Sequence, residues 1–106
     1  MDAFFAYITV PGPEEARRIG KALLEERLAA CVNILPGMES LYWWEGKLEG
    51  ASEAVLIAKT RPDLREALSA KVVEMHPYDC PCVAFLPAQK GNPAYFDWIN
   101  RETRHA

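Results

Sequence analysis

Residues 31–59, CVNILPGMESLYWWEGKLEGASEAVLIAK, set the strongest limit on what this chain can fold into. They read as two β-strands, 31–45 and 47–59, turning at Glu45-Gly46-Lys47 and interrupted once at Pro36-Gly37. Each arm runs to ~13–15 residues, where a strand usually has about 5–6. At ~3.3 Å per residue such an arm reaches ~45 Å, well beyond the ~13 Å radius of gyration of a compact 100-residue domain. The ribbon is also apolar at its far end. Leu41, Tyr42, Trp43 and Trp44 are consecutive, so strand alternation places large apolar groups on both faces. A pair of helices covers only one face of a sheet. The other side therefore calls for a neighbouring copy of the chain, because apolar patches of this kind mark interfaces. The competing solution lies within one chain: the terminal segment carrying Tyr95, Phe96, Trp98 and Ile99 would fold over the aromatics.

The remaining chain alternates between strand and helix signals. FFAYITV (residues 4–10) is β-rich and short. Gly12 then caps a helix with Pro13 in its first turn and Glu14 and Glu15 at its positive end, running to about residue 30. A second helix opens at TRPD with Thr60 as its cap and buries Leu64, Leu68 and Val72. CVAFLP (82–87) is the fourth strand, and Asn92-Pro93 starts a short terminal helix over 94–101. The order β-α-β-β-α-β plus a helix is the ferredoxin-like split arrangement, an α+β fold with its helices on one face of an antiparallel sheet. A chain of 106 residues makes this a single domain over residues 1–106.

Composition excludes several functional classes. A net charge of −3 supplies no basic footprint for nucleic acid. No apolar run approaches the ~18 residues of a membrane span, and the first residues lack the basic region of a secretory signal. The expected location is the cytoplasm. Three cysteines do not make a disulfide framework, and Cys31 reads as core. No G-x-S-x-G, H-E-x-x-H or glycine-rich phosphate loop appears, and the first loop has no cysteine pair of the metallochaperone kind. The chain is therefore expected not to be an enzyme.

Chemistry concentrates in HPYDCPC, residues 76–82. Cys80 and Cys82 are two apart, so in an extended segment both point to one face with Cα atoms ~6.6 Å apart. Two thiolates and an imidazole suit Cu(I) or Zn(II). His76, Cys80 and Cys82 are the candidate metal ligands, with Asp79 orienting the imidazole. The plainer reading makes the cysteines small buried hydrophobes. In an oligomer this loop would face a neighbour's aromatic ribbon. Trp43, Trp44, Tyr78 and Trp98 would then wall an inter-subunit cleft, with Lys59 and His76 as its polar groups. Simple interface packing by the same aromatics is the alternative.

LAACVNILPGMESLYWWEGKLE (28–49), HPYDCP (76–81) and GNPAYFDWI (91–99) resemble, in order and spacing, the CutA divalent-cation tolerance family. The resemblance implies a ferredoxin-like subunit in a homotrimer, similar to the PII signalling proteins, and a link to tolerance of copper and other divalent cations. It also implies metal ligands at a first-strand cysteine and two adjacent histidines. Only His76 matches that set, since Ile8 and Met75 hold the other two positions, and the family rarely carries cysteine at 80 and 82. The expected function is a trimer that binds metal ions directly with modest affinity; no cofactor is required, and copper or another divalent cation is the candidate bound ion. Its protein partner is unknown. Two alternatives stand beside it: a PII-like module holding a small ligand in the inter-subunit cleft, and a trimeric scaffold with indirect metal effects.

Overall fold

A computed structural model describes residues 2–105. The elements are β1 (Ala3–Val10), α1 (Pro13–Glu25), β2 (Cys31–Trp44), β3 (Lys47–Thr60), a 3-10 turn (Pro62–Leu64), α2 (Arg65–Met75), β4 (Val83–Ala88) and α3 (Pro93–Glu102). The strands form one antiparallel sheet in the order β2-β3-β1-β4. This is the ferredoxin-like α+β architecture that the strand and helix order implies.

Register explains the two faces. Val10 pairs with Ala54, Ile8 with Leu56 and Ala6 with Ala58, and these six are buried with Ile19 and Leu23 of α1 and Leu68 and Val72 of α2. Gly20 lets α1 approach closely, because a Cβ there would meet Val32 Cγ2 at 3.1 Å and Leu56 Cδ1 at 3.2 Å. The residues between them on β1 and β3, including Phe5, Tyr7, Val55, Ile57 and Lys59, point to the opposite, open face. Leu35 and Leu86 share that face and are exposed.

The ribbon of β2 and β3 sets the long dimension of the molecule, whose extents are 45 × 26 × 21 Å. Its turn uses Glu45 at φ 49° and Gly46 at φ 78°, the paired left-handed geometry that matches the twist of a two-residue hairpin. The interruption at Pro36-Gly37 is a bulge. Pairing steps from Leu35↔Val55 to Met38↔Glu53, with Gly37 at φ 75°. At the tip, Trp43 is 74% exposed and Leu41 72%.

α3 does not cover those aromatics. It packs at the other end of the sheet, where Phe96 and Ile99 meet Ala3, with Tyr95 and Trp98 at the rim. Its start agrees with the sequence reading: Asn92 Oδ1 accepts from the Ala94 N–H at 3.1 Å, and Pro93 occupies the first turn.

Two helix boundaries differ from expectation for identifiable reasons. α1 ends at Glu25 and not near residue 30. Leu28 N–H donates to Leu23 O and Arg27 N–H to Leu24 O, a Schellman closure with Arg27 at φ 57° in the position usually given to glycine. Thr60 is not a cap. Its hydroxyl is buried and donates to Leu28 O at 2.6 Å, tying the end of β3 to that closure, while the 3-10 turn leads into α2. Cys31, expected in the core, is only half-buried and lies on the open face opposite Lys59.

Candidate functional site

The segment after α2 is fastened by its own side chains. His76 closes the helix through its N–H to Val72 O at 2.8 Å. Its buried ring then turns back toward β1. Nε2 lies 2.7 Å from Thr9 O, and a carbonyl only accepts, so Nε2 carries the proton. Nδ1 lies 3.1 Å from the Tyr78 backbone nitrogen and accepts its proton. The two bonds together select the neutral Nε2–H tautomer. Arg18 Nη2 adds a bond to Met75 O at 2.6 Å.

Tyr78 continues the chain of contacts. Its ring lies 4.6 Å from the His76 ring, and its hydroxyl donates to Glu53 Oε2 at 2.6 Å. Burial, followed by this bond to the Glu53 carboxylate, holds the phenol proton well above the ordinary tyrosine range. His76 and Tyr78 thus latch the loop to β1 and β3.

Beyond the latch lies a cleft of about 550 Å³. Tyr78, Cys80 and Cys82 form one wall, and Ser40, Tyr42 and Trp44 of the ribbon form another, with Thr9, Leu41 and Glu53 completing it. The bulge places Ser40, Tyr42 and Trp44 on the same side as Glu53. Both cysteines are free and exposed.

The structure therefore divides the residues expected to act together. Trp44 and Tyr78 share the cleft with Cys80 and Cys82. His76 sits behind Tyr78 with both ring nitrogens engaged, so in this conformation it offers a metal no lone pair. Asp79 does not orient the imidazole, since backbone groups of Thr9 and Tyr78 do so. Trp43 points to the other side of the ribbon. Lys59 and Trp98 lie at the far end of the sheet: Lys59 Nζ donates to Tyr95 Oη at 3.0 Å and sits over the Phe5 ring at 5.2 Å, and Trp98 stacks on Tyr95. Within one subunit these two do not reach the cleft. Among the described residues, no three His, Cys, Asp or Glu side chains gather to hold a metal ion. Ile8 fills the core, so it offers no donor where the resemblance places a ligand.

Sequence reasoning missed Glu53, Thr9, Ser40 and Tyr42. Glu53 left one signal: it shares strand parity with the apolar Val55 and Ile57 that follow it.

Among the described residues, no helix is long and apolar enough to cross a membrane. The family model described as CutA1 divalent ion tolerance protein matches residues 4–102. The chain is 48% identical over 96 residues to the divalent-cation tolerance protein CutA of Archaeoglobus fulgidus, covering 91% of this chain and 93% of that one. It is 47% identical over 100 residues to the chloroplastic protein CutA 1 of rice. That match covers 94% of this chain and 56% of the rice protein, so the chain spans about half the length of this plant relative. The crystal structure of CutA1 from Oryza sativa superposes with a TM-score of 0.97 at 44% identity, covering 100% of this chain and 97% of that one. The periplasmic divalent cation tolerance protein CutA from Archaeoglobus fulgidus superposes at 0.91 with 46% identity, covering 94% and 97%. From the ferredoxin-like sheet to the HPY latch, this chain belongs to the CutA1 divalent ion tolerance family.

Proposed function

We propose that the chain works in the cytoplasm as a homotrimer in divalent-cation tolerance, binding metal ions directly and with modest affinity, without catalysing a reaction. The names of its relatives support the cation role. The observation that carries direct binding is the placement of Cys80 and Cys82 on the wall of one cleft that also holds Glu53. A pair of thiolates suits copper or zinc better than magnesium or calcium. Two thiol donors with no preformed cage among the described residues favour modest affinity. His76 serves by holding Tyr78 and the loop, and is not itself a ligand.

The trimer rests on the open sheet face and the ribbon tip. Leu35, Leu86, Trp43 and Leu48 are all more than half exposed, an apolar surface that a neighbouring copy would bury. A PII-like reading is favoured by the cleft itself, since about 550 Å³ lies within the range of small-ligand sites.

Anaerobic titration with copper(I) and zinc(II), on the wild type and on Cys80→Ser/Cys82→Ser, tests the metal reading. The double variant is expected to lose the binding. Equal affinity in both proteins would remove the thiols as ligands. Stabilisation by a nucleotide or small anion, with none by metals, would turn the assignment to the PII-like module. Light scattering tests the trimer, and a monomer at micromolar concentration would defeat it.

A further inference from the structure

Cys80 and Cys82 carry a second property that a metal role alone does not require. Both are free, both are exposed, and both line the same cleft. Pro81 between them has a fixed φ, which narrows the range of distances the pair can adopt. A fully extended Cys-Pro-Cys would hold its Cα atoms ~6.6 Å apart, near the upper limit for a disulfide. The chain bends over residues 77–80 before reaching this segment. The segment is also short and held at both ends. Tyr78 is tied to Glu53 and His76 on one side, and β4 begins at Val83 on the other. The third cysteine, Cys31, is paired with Lys59 at the opposite end of the sheet.

From this juxtaposition we infer that Cys80 and Cys82 form a reversible dithiol–disulfide pair whose oxidation closes the cleft to soft metal ions. The closure rests on the metal reading above; the disulfide chemistry does not. The oxidant is a low-molecular-weight disulfide of the glutathione type. The Cys80 thiolate attacks it, forming a mixed disulfide and releasing one small thiolate. The Cys82 thiolate then attacks Cys80 Sγ, forming the internal disulfide and expelling the second small thiolate. The two protein thiols give up two protons and two electrons, and the small disulfide takes up both as two free thiols. A disulfide spanning a single residue is strained and this one is exposed, which places it among the readily reduced, regulatory class. Once formed, it removes both sulfur donors from the cleft wall.

The intact protein is equilibrated in reduced and oxidised glutathione of varied ratio, its free thiols are alkylated, and its peptides are weighed. The expected result is a Cys80–Cys82 disulfide that excess reduced glutathione reverses, with Cys82→Ser stopping at a glutathione adduct on Cys80. Two free thiols across the whole range, or adducts on both cysteines without an internal bond, would overturn the pair. Copper(I) titration of the reduced and the disulfide forms is the second arm, with loss of binding expected on oxidation. Equal binding by both forms overturns the closure. A reduced protein that binds no copper(I) overturns the metal reading instead and leaves the disulfide result standing.

Discussion

Tyr78, in the loop between α2 and β4, reaches across to β3 and donates its hydroxyl proton to the buried Glu53 at 2.6 Å. That bond is the outer half of the latch and closes one side of the cleft. Tyr78→Phe removes the donor and leaves a buried carboxylate short of a partner. The expected loss is about 1–2 kcal/mol in denaturant unfolding. An unchanged midpoint would show that water replaces the phenol at no cost.

The same bond has a pH signature. Burial and Glu53 raise the Tyr78 phenol above its ordinary value of 10.0. The folded chain therefore holds this proton more tightly than the unfolded chain does. Its contribution is fully present below about pH 10 and is lost as pH rises through the folded value. Tyrosinate absorbance is expected to show one late-titrating tyrosine, absent in Tyr78→Phe. That variant is also expected to lose less stability than the wild type above pH 10.

His76→Ala separates the latch from the metal question. It strips the partners from Thr9 O and Tyr78 N–H, at an expected cost of about 2 kcal/mol. Metal affinity of the folded variant is expected to stay close to wild type in the same copper(I) titration. A collapse of affinity in a variant that keeps its fold would make the imidazole a ligand after all.

Arg27 holds a left-handed conformation at φ 57°. Its guanidinium meets the Glu102 carboxylate at 3.0 Å in an exposed pair, a contact of small worth. Arg27→Gly relieves the backbone cost of about 1 kcal/mol, and the backbone bond from Arg104 N–H to Arg27 O survives. Thermal denaturation is expected to show a small net stabilisation. A clear loss would show that the Glu102 contact outweighs the strain.

At the ribbon tip, Trp43→Asp changes a side chain that is 74% exposed. The subunit fold should persist by circular dichroism. Light scattering is expected to shift toward smaller species, because a charge replaces an apolar interface group. An unshifted size would place the contact between copies on the open face instead of the ribbon tip.

Local chemistry made most of the fold legible. Gly12-Pro13 and Asn92-Pro93 announced their helices, and the ribbon announced its length. What escaped depended on partners distant in sequence. Nothing local marks Arg27 as a helix terminator, since the turn closes through Leu28 and Leu23 packing in the core. Thr60 resembles a cap until Leu28 O arrives beside it. His76 resembles a ligand until Thr9 and Tyr78 occupy both nitrogens. Lys59 and His76, expected in one inter-subunit cleft, meet β1 of a single subunit at opposite ends, at Phe5 and Thr9.

The irregularity between Leu35 and Met38 inserts one unmatched residue into β2. Before it, odd-numbered positions look toward the open side; after it, even-numbered ones do. Flattening the bulge with its residue kept would slide the register by one and reverse the outlook of everything downstream, presenting Trp43 to the Glu53 side and turning Trp44 away, whereas excising one residue would flatten it with every outlook kept. The unmatched residue thus sets the parity of the ribbon tip, deciding which side chains wall the cleft and which form the outer surface.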